Sequence, residues 1–521
     1  MFSNINGGLS NIINAESTSN TIGGGENNTI NQTALPNMTV SVIAGGGNNT
    51  ITARGAAILG GSQNQIHGQF SVVCGGGYNI TNGVNYDFIG GGNNNVTSTS
   101  CTFGVIVGGR NNLITSGDHN VISGGASGTI VSGSNSNIAG GSSNSITGTN
   151  SAIGGGQLNQ ITSSYATIAG GRSCANASTY GAICGGFTNK MITPGAYCFI
   201  GGGNTNTITG ATSANCTISG GTLCNITNAI TGTIGGGNGC SITNGRYSVI
   251  GGGQTNSVNT STTTKGYHVV CGGLSNTITD GNSSVICGGS NNSIAIGNYS
   301  AILSGFANSI NGVATGQNVI IGGSNCSLVG SSNLAYGTTC TTTSTATKCI
   351  VLGNQATSAV NGAFVYSDST AATAAMAADS FTVGATGGAI IYSNTARTIG
   401  ATLASGSPAW AAVSDRDAKR DIVELDTKDI LKRVEKLPIY EFSYKDGNPR
   451  TRWRGPMAQD WHALFPSEKD PLKIDTLDLD GISLAAIKEL SQRTNQLLER
   501  IDVQDKIISQ LLARYQVAIK L

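Results

Sequence analysis

Charge is scarce in this chain. Of 521 residues only 27 are Lys or Arg and 26 Asp or Glu, and aromatic residues make up 5%. An ordinary soluble domain carries about 25% charged residues, so a conventional enzyme core along most of the length is excluded. With a net charge of +1 and no basic run, nucleic acid is not an expected partner. No apolar stretch approaches the ~20 residues that cross a bilayer, so no membrane span is expected. The opening Met1-Phe2-Ser3-Asn4-Ile5-Asn6 lacks the basic and apolar regions of a secretory leader, and the expectation is a chain without one. Familiar catalytic motifs are also missing. His67, His119, His268 and His462 are scattered, and there is no Gly-x-Ser-x-Gly, His-Glu-x-x-His or P-loop. No cofactor or metal is expected. The 13 Cys residues all precede residue 350, in an odd number and without metal-ligand spacing. Several share one place in a repeat (Cys74, Cys184, Cys271, Cys287), and they read as small buried hydrophobes in a reducing compartment.

What the chain has instead is glycine, 78 residues of it, very unevenly spread. Residues 1–413 hold 75 of the 78 glycines, whereas residues 414–521 hold 38 of the 53 charges. Two different materials are joined end to end. In the first, a unit recurs from about Thr21 to Leu328: a small residue, an apolar residue and Ile, then Gly-Gly, then Asn and a second Ile. Clear copies begin Ser41-Val42-Ile43-Ala44-Gly45-Gly46, Ser151-Ala152-Ile153 and Ser248-Val249-Ile250. The anchor Ile or Val recurs mostly every 15 to 18 residues, from Ile43 to Ile320. That period is too short for helical-hairpin repeats, which start near 30 residues.

The period predicts a parallel β-solenoid or β-roll, each turn supplying two short strands with Gly-Gly at a tight corner. The Asn after the corner tolerates a left-handed conformation and can bond across neighbouring turns. One turn cannot bury its two or three apolar side chains, but a stack of about twenty, roughly 90 Å long, can. Runs such as Gly23-Gly24-Gly25 recur every turn with no Lys-Ser/Thr after them, and read as corners rather than phosphate cradles. Asn-x-Ser/Thr sequons such as Asn27-Asn28-Thr29 follow from the composition alone. The pattern resembles the head domains of trimeric autotransporter adhesins, whose short repeats build a trimeric left-handed β-roll. A fibre or adhesin and an inert spacer are both compatible with it.

The repeat is expected over residues 21–355 after a lead-in at 1–20, with a β-rich stem over 356–413. In the stem, Ser380-Phe381-Thr382-Val383 and Ala389-Ile390-Ile391-Tyr392-Ser393 read as short strands, and Trp410 as a packing anchor. The charged module, 414–521, opens Ser414-Asp415-Arg416-Asp417-Ala418-Lys419. Ser414 is the expected cap of a helix running towards Leu437-Pro438, with Ile422, Ile430, Leu431 and Val434 as its apolar positions. Ile439–Lys445 alternates as a strand, and Asp446-Gly447 reads as a hairpin turn. Trp453–Asp460 returns into a short helix ending near Phe465-Pro466. Residues 482–521 read as one long helix whose heptad seam includes Ile487, Leu490, Leu497, Ile501, Ile508, Leu511 and Tyr515. Ile and Leu in those seam positions favour two strands in a simple coiled coil.

The ordered set Ser-Asp-x-x-x-Lys, Leu437-Pro438-Ile439-Tyr440-Glu441-Phe442-Ser443-Tyr444, Gly455-x-x-Ala458-Gln459-Asp460 and a terminal helix resembles the self-cleaving intramolecular chaperone domain of endosialidase tailspikes and other viral fibres. That resemblance implies a homotrimer, a chaperone that guides folding of the β-rich part, and one self-cleavage before the Ser by a Ser–Lys dyad. Carried onto this chain it implies Ser414 as nucleophile, Lys419 as its partner and Val413–Ser414 as the scissile bond. Asp417, Ala418 and Pro456-Met457 depart from the family pattern and leave the dyad intact. A separation of five residues is awkward on an ideal helix, about 140° around the axis.

The expected fold class is therefore mainly β: a trimeric parallel β-solenoid shaft with a C-terminal α+β chaperone module ending in a coiled-coil helix. The expected function is a viral fibre at the virion surface, self-assembling, with a host-surface glycan or receptor as outside partner. The alternatives are an inert, glycan-binding or ice-binding solenoid, or an adhesin, with a non-cleaving C-terminal clamp. An autotransporter adhesin would need a leader and a membrane barrel. A membrane-bound transcription regulator with the same self-cleaving domain would need a DNA-binding domain and a membrane helix.

Overall fold

The computed structural model describes residues 2–15, 19–32, 40–312 and 316–519. Contacts divide the chain after Ala389 into two units. In the first, every turn contributes one strand to each of two parallel ladders, which together make about 23 turns. Most strands have two residues, one half-exposed and one fully buried, as in Val42–Ile43 and Thr50–Ile51. The alternation is the ordinary strand pleat, with successive side chains on opposite faces. Each expected anchor from Ile43 to Ile320 lies in the first ladder and is buried, and most of the second Ile residues fill the second ladder opposite them. The core is thus two facing columns of Ile. Stacking at about 4.8 Å per turn makes it roughly 110 Å long.

The corners explain the glycines. Gly46 has φ +96° and Gly61 φ +90°. A Cβ on Gly61 would sit inside the van der Waals contact of the Gly76 carbonyl oxygen on the next turn. Two residues on, the chain is left-handed again, at Asn48 (φ 56°) and Gln63 (φ 58°). The left-handed residue is therefore the one before the ladder asparagine, which corrects the expectation that the Asn itself adopts αL. The Asn has another task. Asn49 Nδ2 donates to Gly45 O (3.2 Å) in its own turn and to Gly61 O (2.9 Å) in the next. Its Oδ1 accepts from Asn64 N at 3.0 Å. Repeated turn after turn, this satisfies a buried amide that would otherwise cost about 1–3 kcal/mol.

From the first-ladder anchor to its second-ladder partner the count is eight residues in every turn from Ile5–Ile13 to Ile320–Leu328. Over these turns all variation in period falls in the other corner, from a step of seven residues (Ile51 to Ile58) to one of thirteen (Ile30 to Ile43), with twelve from Val258 to Val270.

The ladders run from Asn4 to Gly384, past both expected limits of 21 and 355. The last turns, Ile350–Asn354, Phe364–Ser367 and Phe381–Gly384, keep the in–out alternation but lose the Gly-Gly and Asn signature, so the repeat alone does not reveal them. Phe381–Gly384 is therefore a solenoid turn. The cysteines also correct the sequence reading. Nine are buried, but Cys184, Cys271 and Cys287 are exposed and Cys74 is half-exposed, because the residue after each anchor points outward.

Rings stack along the corner leading into the first ladder. Phe70, Tyr86, Phe103 and His119 form one run, with centroids 5.2, 5.0 and 4.8 Å apart. Tyr165, Tyr180 and Tyr197 form a second, at 4.8 and 5.0 Å. The spacing is set by the in-register stacking of the turns.

Candidate functional site

A three-stranded sheet, Gly388–Tyr392, Gly400–Ala404 and Trp410–Ala412, precedes the charged module. The last two strands are antiparallel, pairing Leu403 with Trp410 and Ala401 with Ala412. Trp410 is 52% exposed, not the buried anchor expected. Val413 N donates to Gly400 O at 3.0 Å, so Val413 is the last residue the sheet holds and Ser414 the first beyond it.

Beyond Val413 the chain does not enter a helix. Asp415 Oδ1 accepts from Asp417 N (3.0 Å) and Lys419 N donates to Arg416 O (3.1 Å), two turns in succession. The first helix, α1, is Thr427–Val434, capped by Asp426, whose side chain accepts from Lys428 N and Asp429 N. The expected cap at Ser414 is thus replaced by Asp426. Asp and Asn side chains fold readily onto backbone two residues ahead, and Asp415 uses that capacity to make a turn. The turn also removes the helical obstacle to the pair: Lys419 Nζ lies 2.6 Å from Ser414 Oγ. Both side chains are exposed in the single chain.

The rest of the module is a small platform. Tyr440–Phe442 pairs antiparallel with Trp453–Gly455 across a ten-residue loop, longer than a two-residue Asp446-Gly447 turn. Helix α2, Ala458–Leu464, buries Trp461 against Phe465, ring centroids 4.8 Å apart. The Asp460 carboxylate beside the Tyr440 phenol raises its pKa, joining the two conspicuous motifs of the sequence. Helix α3, Thr476–Ile519, begins six residues before the expected start; residues 520–521 of that expectation lie outside the described residues. Ile430 and Leu431 of α1 pack on Ala486 of α3, with Ile482, Ala485 and Phe465 around them.

One structural residue escaped the sequence reading. Glu489 is 3% exposed; it accepts from Thr427 Oγ1 (2.9 Å) and Arg493 Nε (3.1 Å) and ties α1 to α3. Its neighbours Ile482, Ala485 and Ala486 were the available signal, because at seven, four and three residues' distance they place Glu489 on the packed side of the helix. In contrast, Ile487, Leu497, Ile501 and Leu511 are 49–61% exposed. Among the described residues no group of three or more His, Cys, Asp or Glu could hold a metal ion, and no helix is long and apolar enough to cross a membrane.

A parallel β-solenoid followed by a separate helical module with an open apolar stripe defines a fibre-like chain with a C-terminal assembly domain. Residues 414–469 match the S74 peptidase family, described as the chaperone of endosialidase. The module is thus similar to an autoproteolytic chaperone domain, and that similarity implies oligomeric assembly. No curated protein matches the chain.

Proposed function

We propose that this chain is a viral fibre protein, displayed on the virion surface as a homotrimer, whose C-terminal module aligns three solenoids and then cuts itself off at Val413–Ser414. The observation that carries the cleavage is the 2.6 Å approach of Lys419 Nζ to Ser414 Oγ at the point where the sheet releases the chain.

In the reaction, Lys419 as a neutral amine takes the proton of Ser414 Oγ, and Oγ attacks the Val413 carbonyl carbon. The C–N bond breaks, the Ser414 amine leaves protonated, and Val413 is held as an ester on Oγ until water hydrolyses it. A solvated lysine is an ammonium and donates to Oγ, the wrong polarity for a base. Desolvation lowers a lysine pKa. Burial of this turn between subunits would therefore switch the pair on, making cleavage follow assembly.

The test is intact mass and an SDS gel of the full chain beside Ser414→Ala and Lys419→Ala. The wild type is expected to release residues 414–521, 108 residues in all, and both variants to remain whole. A wild type that stays intact as an oligomer would leave the module a clamp and remove the enzymatic claim. A second reading, ice or glycan binding by the solenoid, draws on the rows Thr207/Thr209, Asn225/Thr227 and Ser241/Thr243, which are in register on the second ladder. An ice-recrystallisation assay and a glycan array test it.

A further inference from the structure

The two ladders have different outer faces. In the eighteen turns from Ile43 to Ile320, the residues just before and just after each first-ladder anchor point outward. Of these 36, 30 are Val, Ile, Leu, Phe, Ala, Cys or Gly, the other six are Asn, Thr or Ser, and none is charged. At the matching 36 positions of the second ladder, 27 are polar. Val107 (51% exposed), Leu59 (53%) and Leu303 (43%) stand on the first face with no cover from their own chain. The ring stacks run along the edge of the same face, because Phe70, Val72 and Cys74 follow one another there.

We infer that the outer face of the first ladder is the surface on which a second copy of this chain packs. The inference deepens the reading of the protein as an oligomeric fibre and rests on it. Eighteen turns at about 4.8 Å and a strip about 10 Å wide give roughly 850 Å² per copy. A standard stable interface needs about 800 Å² per partner. The small residues Gly90, Ala139, Gly154 and Gly235 let backbones approach, and the absence of charge leaves no ion to desolvate on association. Sugars fit poorly here. The stacked rings cover one another's faces, and the strip offers few polar groups to orient hydroxyls.

The face carries its own reporters: Cys74, Cys184, Cys271 and Cys287, whereas the other nine thiols are buried inside the turns. The experiment is maleimide labelling of the native full chain, counted by intact mass, with oligomeric state from light scattering. Val107→Lys and Leu303→Lys probe the face; Thr209→Lys and Thr227→Lys are controls on the second ladder. The expected result is an oligomer whose four outer thiols resist labelling until it is denatured. Val107→Lys and Leu303→Lys should release monomer with four reactive thiols, and the two controls should assemble as wild type does. An oligomer that labels at all four thiols, with the first-ladder variants still assembled, overturns this inference and leaves the fibre reading standing. A monomer with four reactive thiols overturns both. The thiol count needs no variant, so misfolding of a substituted chain does not obscure it.

Discussion

The solenoid hides its ladder anchors within one chain, whereas the module leaves most of its apolar residues outside. Ile250 and Val258 are fully buried in successive strands, yet Ile487, Leu497 and Leu511 stand more than half exposed along α3. The polar groups differ as well. The solenoid pairs neutral amides in a repeating ladder, and the module relies on ion pairs such as Arg433–Asp429 at 2.6 Å and Arg493–Glu489 at 3.1 Å. The solenoid is bonded in stacked layers and needs only its neighbours. The module's fold accounts for a small core around Ile430 and Leu431, and its long helix is built for company.

That contrast breaks most sharply if the module is never made. A chain ending at Val413 is expected to yield no soluble oligomer, whereas the same chain cut after folding should stay assembled; size-exclusion chromatography with light scattering separates the two. In-register parallel stacking of near-identical turns admits slipped pairings and folds slowly, and a product freed of its template is held kinetically.

Within the solenoid, Ile250→Ala should cost about 2–5 kcal/mol by opening a cavity between rigid turns. Urea denaturation should register that loss in the solenoid transition while the helical signal of the module is unchanged. A pH effect of similar size comes from His268. Burial holds its pKa down at about 4, against an ordinary 6.5, so it is neutral in the fold. Between these values the unfolded chain binds the extra proton. Stability is therefore complete above about pH 6.5 and falls as pH drops towards 4, by roughly 3 kcal/mol. Ser248 and Ser284 occupy the same place in the turns on either side. His268→Ser should remove that slope in thermal melts between pH 7 and 4.

Smaller still is the expected loss in Asn64→Ala, about 1–3 kcal/mol, from the stranded Gly60 and Gly76 carbonyls and the Asn79 amide. Natural interruptions of the same ladder at Gly128 and Cys174 show that single gaps are carried. In the module, Glu489→Gln should keep the Thr427 bond, weaken the Arg493 pair and lower the α1–α3 melting point by a few degrees.

The repeat was legible because each turn spells its chemistry in the chain: an inward Ile, a Gly where a Cβ would collide, an Asn where a carbonyl needs a donor. The ends were not, since the turns after Leu328 keep the pleat and discard the spelling. At Ser414 the sequence pattern points to a helix start, but the helix begins twelve residues later with Asp426 as its cap, next to the residues that pack on α3. The closeness of Ser414 and Lys419 was implied by resemblance; the turn that brings it about depends on Asp415 folding onto its own backbone, a local event that helix periodicity does not register. Glu489 looked like surface because its burial is created by α1, more than fifty residues earlier in the chain.

The corner of fixed length and the corner of variable length divide each turn into a part that keeps time and a part that can be rewritten. Eight residues from anchor to partner are kept in every turn through Ile320–Leu328, so the stacking register there survives whatever happens on the other side. Loop closure there grows only slowly in cost, about 0.6 kcal/mol per doubling of length. The twelve-residue step from Val258 to Val270 is already such an expansion. A foreign peptide grafted at Ser261–Thr264 would be carried at a defined height on a scaffold indifferent to its content, and lineages could vary that corner freely while keeping the rod.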